Sequence, residues 1–470
     1  MRPSKSTSRQ HDTLSEAAYF GPVTFFLLIH VLIGVALRTS PAAAGIHAGI
    51  VLGISIWAAL RWSPIAVTCC AAYIVGAEVL WRMANAPIPY EMGKYAVSLV
   101  LLLALIRMGR RATWRPDALI YFLLLIPSAV LLFADRDLTT RTLMMRLSFN
   151  LSGPLCLCVS VWFFSQQEFR AKDVLKICVA MLGPILSIAV VTIIATRGAT
   201  DLNFTGESNV VTSGGFGPNQ VSAVLGLGAL VALLLTLNRE ARSGLRLVGG
   251  SLVLLFGVQS AMTFSRGGLY GAGLALMVGL PFLLRERRVR HVLLPMGIAV
   301  TIIAIWVVLP QLQQFTGGKL AGRFDDVQTT NRGALVIDDI HVWAEHPLLG
   351  VGPGRVADFR GDIGGAGHTE YTRLLAEHGS LGALALMTLL LMSLRILLDS
   401  SERLGRGYRV IFLAWAMLSM LHAAMRIAAF GFVYGLANAT FHLARIRSTE
   451  IDRAADRTPF FEWRMSQVLE

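Results

Sequence analysis

An all-α membrane fold with about 12–14 spans is predicted by three observations on this 470-residue chain. Mean hydropathy is +0.60, with 54% hydrophobic and only 15% charged residues, outside the balance of soluble globular chains. Apolar runs of span length follow one another almost without a break, and Lys and Arg alternate in density between the connections. With roughly 17–25 residues per span as the guide, the runs fall at 19–37, 42–60, 64–81, 95–106, 117–134, 149–165, 174–195, 219–237, 247–263, 268–284, 292–310, 380–398, 410–425 and 427–444. That is fourteen; the short run at 95–106 and the pair around Arg426 leave twelve or thirteen as the alternative count.

In chain order, residues 1–18 form a polar, basic tail leading into span 1, which is expected to act as an uncleaved signal anchor; cleavage near Ala42 to Ala44 is the alternative. Spans 1–11 occupy 19–310, a polar interval occupies 311–379, spans 12–14 occupy 380–444, and 445–470 is a second polar tail. Of the 42 Lys and Arg, 27 fall at the connections on the side of the N-terminus and 15 on the other side. Short, Arg-dense connections such as RMGRRATWR and RERRVR therefore place the N-terminus in the cytoplasm and the long interval outside.

The same distribution disposes of the nucleic-acid reading that a net charge of +13 invites. The basic residues line the inner face, where they anchor the protein against anionic lipid. Cys69, Cys70, Cys156, Cys158 and Cys178 all lie in apolar runs and form neither a disulfide framework nor a metal-ligand spacing. No repeat of 20–50 residues is visible.

The 69-residue interval 311–379 is where chemistry is expected, since loops of that length are functional or disordered and this one carries Trp343, Phe359 and Tyr371. Asn331 can cap a helix from Arg332 to Glu345, with Val336, Ile340 and Trp343 on its apolar face and His346-Pro347 ending it. Gly350, Gly352 and Gly354 then predict a tight turn, and a second helix is expected from Thr369 toward the next span. The GVGPG run does not follow a strand and open a helix, so it is no dinucleotide loop.

Arg266 sits in TFSRGG between two spans joined by almost no loop, so its charge is held at the outer membrane boundary, a costly position without a partner. It either snorkels or pairs with an acid, or it clamps a diphosphate through its planar guanidinium fork. Ser265, Gly267 and Gly268 favour the clamp, because small residues let backbone N–H groups approach an anion at the start of the next helix. Arg197, ending a span in ATRGATD, has the same two readings. For Arg323 in AGRFDD and Arg332 in NRGAL, a solvated ion pair with nearby aspartates stands beside a third cation near the diphosphate.

Among ten histidines, His368 stands apart. It follows Gly364, Gly365 and Gly367 at a loop-to-helix junction, where an imidazole titrating near neutrality can take a proton from a sugar hydroxyl. A surface histidine at a helix start is the plainer reading. His30, His47, His422 and His442 lie in apolar runs and are expected to be packed, while His341 and His346, five apart, do not share a helical face as metal ligands. Glu370, Arg373 and Glu377 fall at i, i+3 and i+7, a charged ladder worth only tenths of a kcal/mol, with orientation of His368 a further role for Glu370. Asn219 in GFGPNQ either caps a span or contacts phosphate or sugar.

Taken in order, TFSRGG at 263–268, the arginine of NRGAL, HPLLGVGPG at 346–354 and HTEYTRLLAEHGSLG at 368–382 resemble the O-antigen ligase/polymerase superfamily of bacterial envelope enzymes; the likeness is specific over about 219–398 and generic before it. The resemblance implies a membrane glycosyltransferase (GT-C-like) fold in the bacterial inner membrane with a periplasmic loop over the active site. It implies transfer of a glycan from an undecaprenyl diphosphate carrier to an acceptor hydroxyl, on lipid A-core for a ligase or on a growing glycan for a polymerase, without metal or cofactor. It makes His368 the base and Arg266 and Arg197 diphosphate ligands, with Arg332 a third; Ser265, Asn219, Arg323 and Glu370 stand as supporting candidates on their local patterns. A polymerase subgroup carries an arginine followed eleven positions later by glycine, a spacing that Arg197, Arg323, Arg332 and Arg355 all lack, whereas fourteen spans exceed the number expected of a ligase. The competing class is a transporter or flippase of a lipid-linked saccharide, which calls for inverted repeats and charges deep in the bundle; Glu78 is the one acid well inside a predicted span.

Overall fold

The computed structural model describes residues 5–61, 63–135, 137–200, 202–204, 207–325, 332–360, 369–399, 402–422 and 424–443, with the backbone alone for 5–19, 332 and 424. Among them, twelve helical stretches are long and apolar enough to cross a membrane. They are α1 (Lys5–Thr39, apolar from Phe20), α2 (Pro41–Arg61), α3 (Pro64–Met83), α4 (Met92–Met108), the broken pair α5 (Pro116–Leu123) and α6 (Val130–Ala134), α7 (Thr140–Phe164), α8 (Ala171–Gly198), α9 (Pro218–Leu237), α10 (Ser243–Met262), α11 (Arg266–Leu283), α12 (Arg287–Ile303) continued through a π-helical stretch into α13 (Leu309–Thr316), and α17 (Glu370–Leu398). Between the last two come α14 (Lys319–Asp325), α15 (Arg332–Glu345) and α16 (Val356–Phe359), and after α17 the shorter α18 (Arg403–Ser419) and α19 (Ala428–Leu436). The chain is thus a multi-pass, helical membrane protein.

Two expected spans are corrected. The run at 427–444 is helical only as α19; Asn438 donates its side-chain amide to the Tyr434 carbonyl at 3.0 Å, and the chain then pairs as β2 (Thr440–His442) in parallel with β1 (Glu168–Arg170). His442 accordingly lies on an exposed strand 3.2 Å from Glu168 and is not packed in a span. The run at 292–310 does not stop at its predicted end but remains helical to Thr316.

Burial separates centre from periphery. α9 has no charged side chain, and 89% of its apolar window is buried, against 6% for α12–α13. α9 approaches α11 backbone to backbone: a Cβ on Gly268 would stand 1.9 Å from the Ser222 carbonyl oxygen, and one on Gly226 would stand 2.3 Å from that of Gly268. Small residues at such crossings let membrane helices pack without a hydrophobic driving force.

The helix of the long loop forms where expected but turns a different face inward. Leu335, Asp339 and Val342 are buried while Ile340 is exposed. Asp339 lies on the buried face, where it takes hydrogen bonds from Arg360 Nε (3.0 Å) and from Thr372 Oγ1 on α17 (2.6 Å). The predicted tight turn is present, with positive φ at Gly350, Gly352 and Gly354. Val351 and Gly352 donate their amides to the carbonyls of Ala376 and Glu377, just ahead of Gly379 (φ 61°), where α17 kinks. The GVGPG run is therefore a clasp on the first turns of α17.

Candidate active site

The first part of the site is a corner where α9 meets α11. Thr263–Ser265 link α10 to α11 through Phe264, which holds φ 57°, a conformation that costs an aromatic residue on the order of 1–2 kcal/mol. Complete burial and a ring stacked at 5.2 Å on Phe204 hold it there. Ser265 donates its hydroxyl to Asn219 Oδ1 at 2.8 Å, and Ser222 donates to the Ser265 carbonyl at 2.8 Å. Arg323 on α14 donates Nε to the Phe264 carbonyl at 3.2 Å and is only 6% exposed, which corrects the reading of a solvated ion pair. Arg266 is the first residue of α11, next to Gly267, which packs against His422.

The structure thus brings Ser265, Arg266, Asn219 and Arg323 together, although Asn219 does not cap α9: Gly217 holds the cap position and Asn219 supplies its oxygen to Ser265. Arg197 lies exposed in the last turn of α8. Arg332 begins α15, with its side chain outside the described residues, and His368 lies outside them altogether.

The second part was missed in the sequence. A cavity of about 790 Å³ opens between the α3–α4 connection, the first turns of α7, the Gly354–Ala357 segment, the first turns of α17 and the segment before α19, lined by Tyr90, Glu91, Arg141, Arg146, Phe149, Asn150, Glu370, Arg373, Glu377 and Arg426 among others. Glu370, Arg373 and Glu377 do form the expected ladder, but buried here rather than as a marginal surface feature worth tenths of a kcal/mol. Arg373 donates to Glu370 (3.1 Å), Glu377 (2.6 Å) and Asn150 Oδ1 (2.7 Å), so Glu370 is held by its arginine. Arg146 pairs with Asp358 at 2.6 Å across the mouth.

A further ion network forms the wall on the α3–α4 side. Arg82 pairs with Glu78 at 2.6 Å, lies over the Tyr90 ring at 3.9 Å and donates to Gln220 Oε1 at 2.6 Å and to the Arg426 carbonyl at 3.0 Å. Glu78 also accepts the Ala428 amide at 2.6 Å. Lys94, wholly buried, pairs with Glu91 and donates to the carbonyls of Phe149 and Met425. Burial pushes the Glu91 carboxyl above the usual range, although Lys94 opposes the shift. Gln220, next to Asn219, donates to the Tyr90 hydroxyl at 3.0 Å, which ties the corner to the cavity wall. The signal available in the sequence was the opposite-charge spacing of Glu78 with Arg82 and of Glu91 with Lys94, pairs placed at i, i+4 and i, i+3 near apolar runs. His30 and His47 are packed as expected, both hydrogen-bonded to Tyr73.

Chemically, fixed guanidinium groups at a membrane boundary can neutralise an anion while the cavity admits a polar substrate. Comparison with protein families gives a match over residues 251–387 to the family described as O-Antigen ligase. No curated protein matches the chain. The matched stretch contains Ser265, Arg266, Arg323, Arg332, the glycine clasp, His368 and Glu370, but not Arg197, Asn219 or the α3–α4 wall.

Proposed function

The chain carries a domain of the O-antigen ligase/polymerase superfamily, and from that premise we propose that it transfers a glycan from undecaprenyl diphosphate to an acceptor hydroxyl at the periplasmic end of a bundle in the bacterial inner membrane. The domain itself gives a glycan ligase or polymerase acting on lipid-linked glycans. In the reaction, the acceptor oxygen attacks the anomeric carbon, the bond from that carbon to the diphosphate breaks, and the diphosphate leaves with the bonding electrons. His368 takes the hydroxyl proton. Arg266 and Arg197, with Arg332 as a third cation, neutralise the departing charge, a task that fixed arginines perform without a divalent cation. Ser265, Asn219 and Arg323 set the corner from which Arg266 projects. N-terminus inside and long loop outside follow from the Lys and Arg distribution.

The observation that carries this reading is the coincidence, within and around the matched stretch, of the Ser265–Asn219–Arg323 corner with an arginine-lined cavity reached through Gln220 and Tyr90. His368→Ala should abolish transfer, by at least about 10²-fold as for loss of a positioned base, while the protein still inserts and purifies normally; near-normal turnover by that variant removes the mechanism. The acceptor is identified by deleting the gene and profiling glycans. Long chains left on the carrier denote a ligase onto lipid A-core, and single repeats on the final acceptor denote a polymerase.

A further inference from the structure

Tyr90 lines two cavities: the large one, and a smaller one of about 230 Å³ between the α3–α4 connection and Phe216, three residues before Asn219 of the corner. It is 44% exposed, yet it is held on several sides. The Arg82 guanidinium covers one face of its ring at 3.9 Å, and Arg82 Nε and Nη2 donate to its carbonyl at 3.2 and 2.8 Å. Gln220, whose Oε1 accepts from Arg82, donates Nε2 to the Tyr90 hydroxyl at 3.0 Å. Pro87 and Pro89 stiffen the connection that carries the ring. With one face and the carbonyl engaged, the exposure falls on the rest of the ring and on the hydroxyl, whose own proton has no acceptor among the described residues. An exposed side chain that is already fixed loses little freedom when a ligand arrives.

We propose that Tyr90 is a sugar platform: the open part of its ring packs on the C–H face of one sugar of the glycan, and its hydroxyl donates to an oxygen of that sugar. This rests on the glycan-transfer reading above and places a sugar between the diphosphate corner and the large cavity. A sugar ring offers C–H hydrogens on its faces and hydroxyls around its edge, and tyrosine matches both, with a negative π face and a polar tip. Phe149 continues the same wall, its centroid 6.3 Å from that of Tyr90 and its plane tilted by 30°. Arg82 behind the ring is neutralised by Glu78 at 2.6 Å, so the platform suits a neutral sugar rather than a phosphate. The other role open to an exposed tyrosine at this level is that of a membrane-interface anchor, and the experiment separates the two.

The test is isothermal titration of the full-length protein in lipid nanodiscs with the oligosaccharide released by mild acid from the cell's own surface glycan, a probe that has the sugar faces and lacks lipid and diphosphate. Donor turnover is followed on the same preparations. Tyr90→Leu should weaken binding about 10-fold or more, through loss of the aromatic face. Tyr90→Phe, which keeps the ring and loses one neutral hydrogen bond, should weaken it only about 2- to 10-fold. In turnover, Tyr90→Leu should raise KM for the donor more than it lowers kcat. If Tyr90→Leu does not purify, wild type carrying 3-fluorotyrosine serves in its place: the fluorine resonance assigned to Tyr90 by its absence from Tyr90→Phe should shift when the oligosaccharide is added. Equal binding by a folded Leu variant, an unmoved Tyr90 resonance, or no binding by a wild type that turns over donor overturns the proposal and leaves Tyr90 an anchor. A wild type that binds the oligosaccharide but does not turn over donor strikes the transfer reaction instead and leaves the platform standing.

Discussion

The α9–α11 corner and the cavity beside it are built in opposite ways. The corner is local: Thr263 to Gly268 are contiguous, and Phe204, Asn209, Asn219, Ser222, Arg323 and His422 meet it from elsewhere. It is held by close backbone contact, by neutral hydrogen bonds and by one hydrogen bond from the Arg323 guanidinium. The cavity is assembled from five separate segments, from Tyr90 to Arg426, and is held by buried ion pairs. In the proposed reaction the corner holds the diphosphate through Arg266, the first residue of α11. The cavity's carboxylates are paired with buried cations, Glu91 with Lys94 and Glu370 and Glu377 with Arg373.

Substitutions sharpen the contrast, beginning with the largest effect. Arg266→Ala should lower kcat about 10²–10³-fold in a donor-turnover assay, the cost of removing one preorganised charge stabiliser, and Arg266→Lys should recover little because the bidentate fork is lost; equal activity of the Lys variant would show that a point charge suffices at the corner. Next, Asp339→Ala leaves Arg360 buried without its carboxylate and should destabilise the loop by roughly 3–5 kcal/mol, seen as rapid protease cleavage near α15 with the membrane helices protected. The double change with Arg360→Met should restore much of that resistance. Gly268→Ala should cost about 1–3 kcal/mol by forcing α9 and α11 apart, measured as a lower melting temperature in detergent; an unchanged melt would mean that the corner does not depend on the close approach.

The difference between the two regions is also a difference in legibility. Spans can be read because apolar length is a property of consecutive residues: among the described residues, twelve of the predicted runs reappear as helices long and apolar enough to cross a membrane, while the runs at α18 and α19 give shorter helices. TFSRGG was readable for the same reason. α15 was placed correctly, yet its buried face was misjudged by one residue, because hydrophobicity alone does not reveal that Asp339 finds Arg360 twenty-one positions away. Glu370, Arg373 and Glu377 are legible as a charged ladder worth tenths of a kcal/mol, but nothing near them in sequence announces their burial or Asn150, the partner of Arg373 on α7. Glu91 and Lys94 passed unnoticed because their spacing is ordinary on any helix, and only the walls contributed by α3 and α7 make the pair unusual.

The measurement that bears most directly on the central claim is turnover by the purified chain, reconstituted in proteoliposomes without any ion or voltage gradient and supplied with labelled undecaprenyl-diphosphate-linked glycan and an acceptor. Label should move covalently to the acceptor with release of free undecaprenyl diphosphate, and Arg266→Ala should suppress both together. Movement of intact lipid-linked glycan across the bilayer with no new glycosidic bond would contradict that claim and make the chain a transporter.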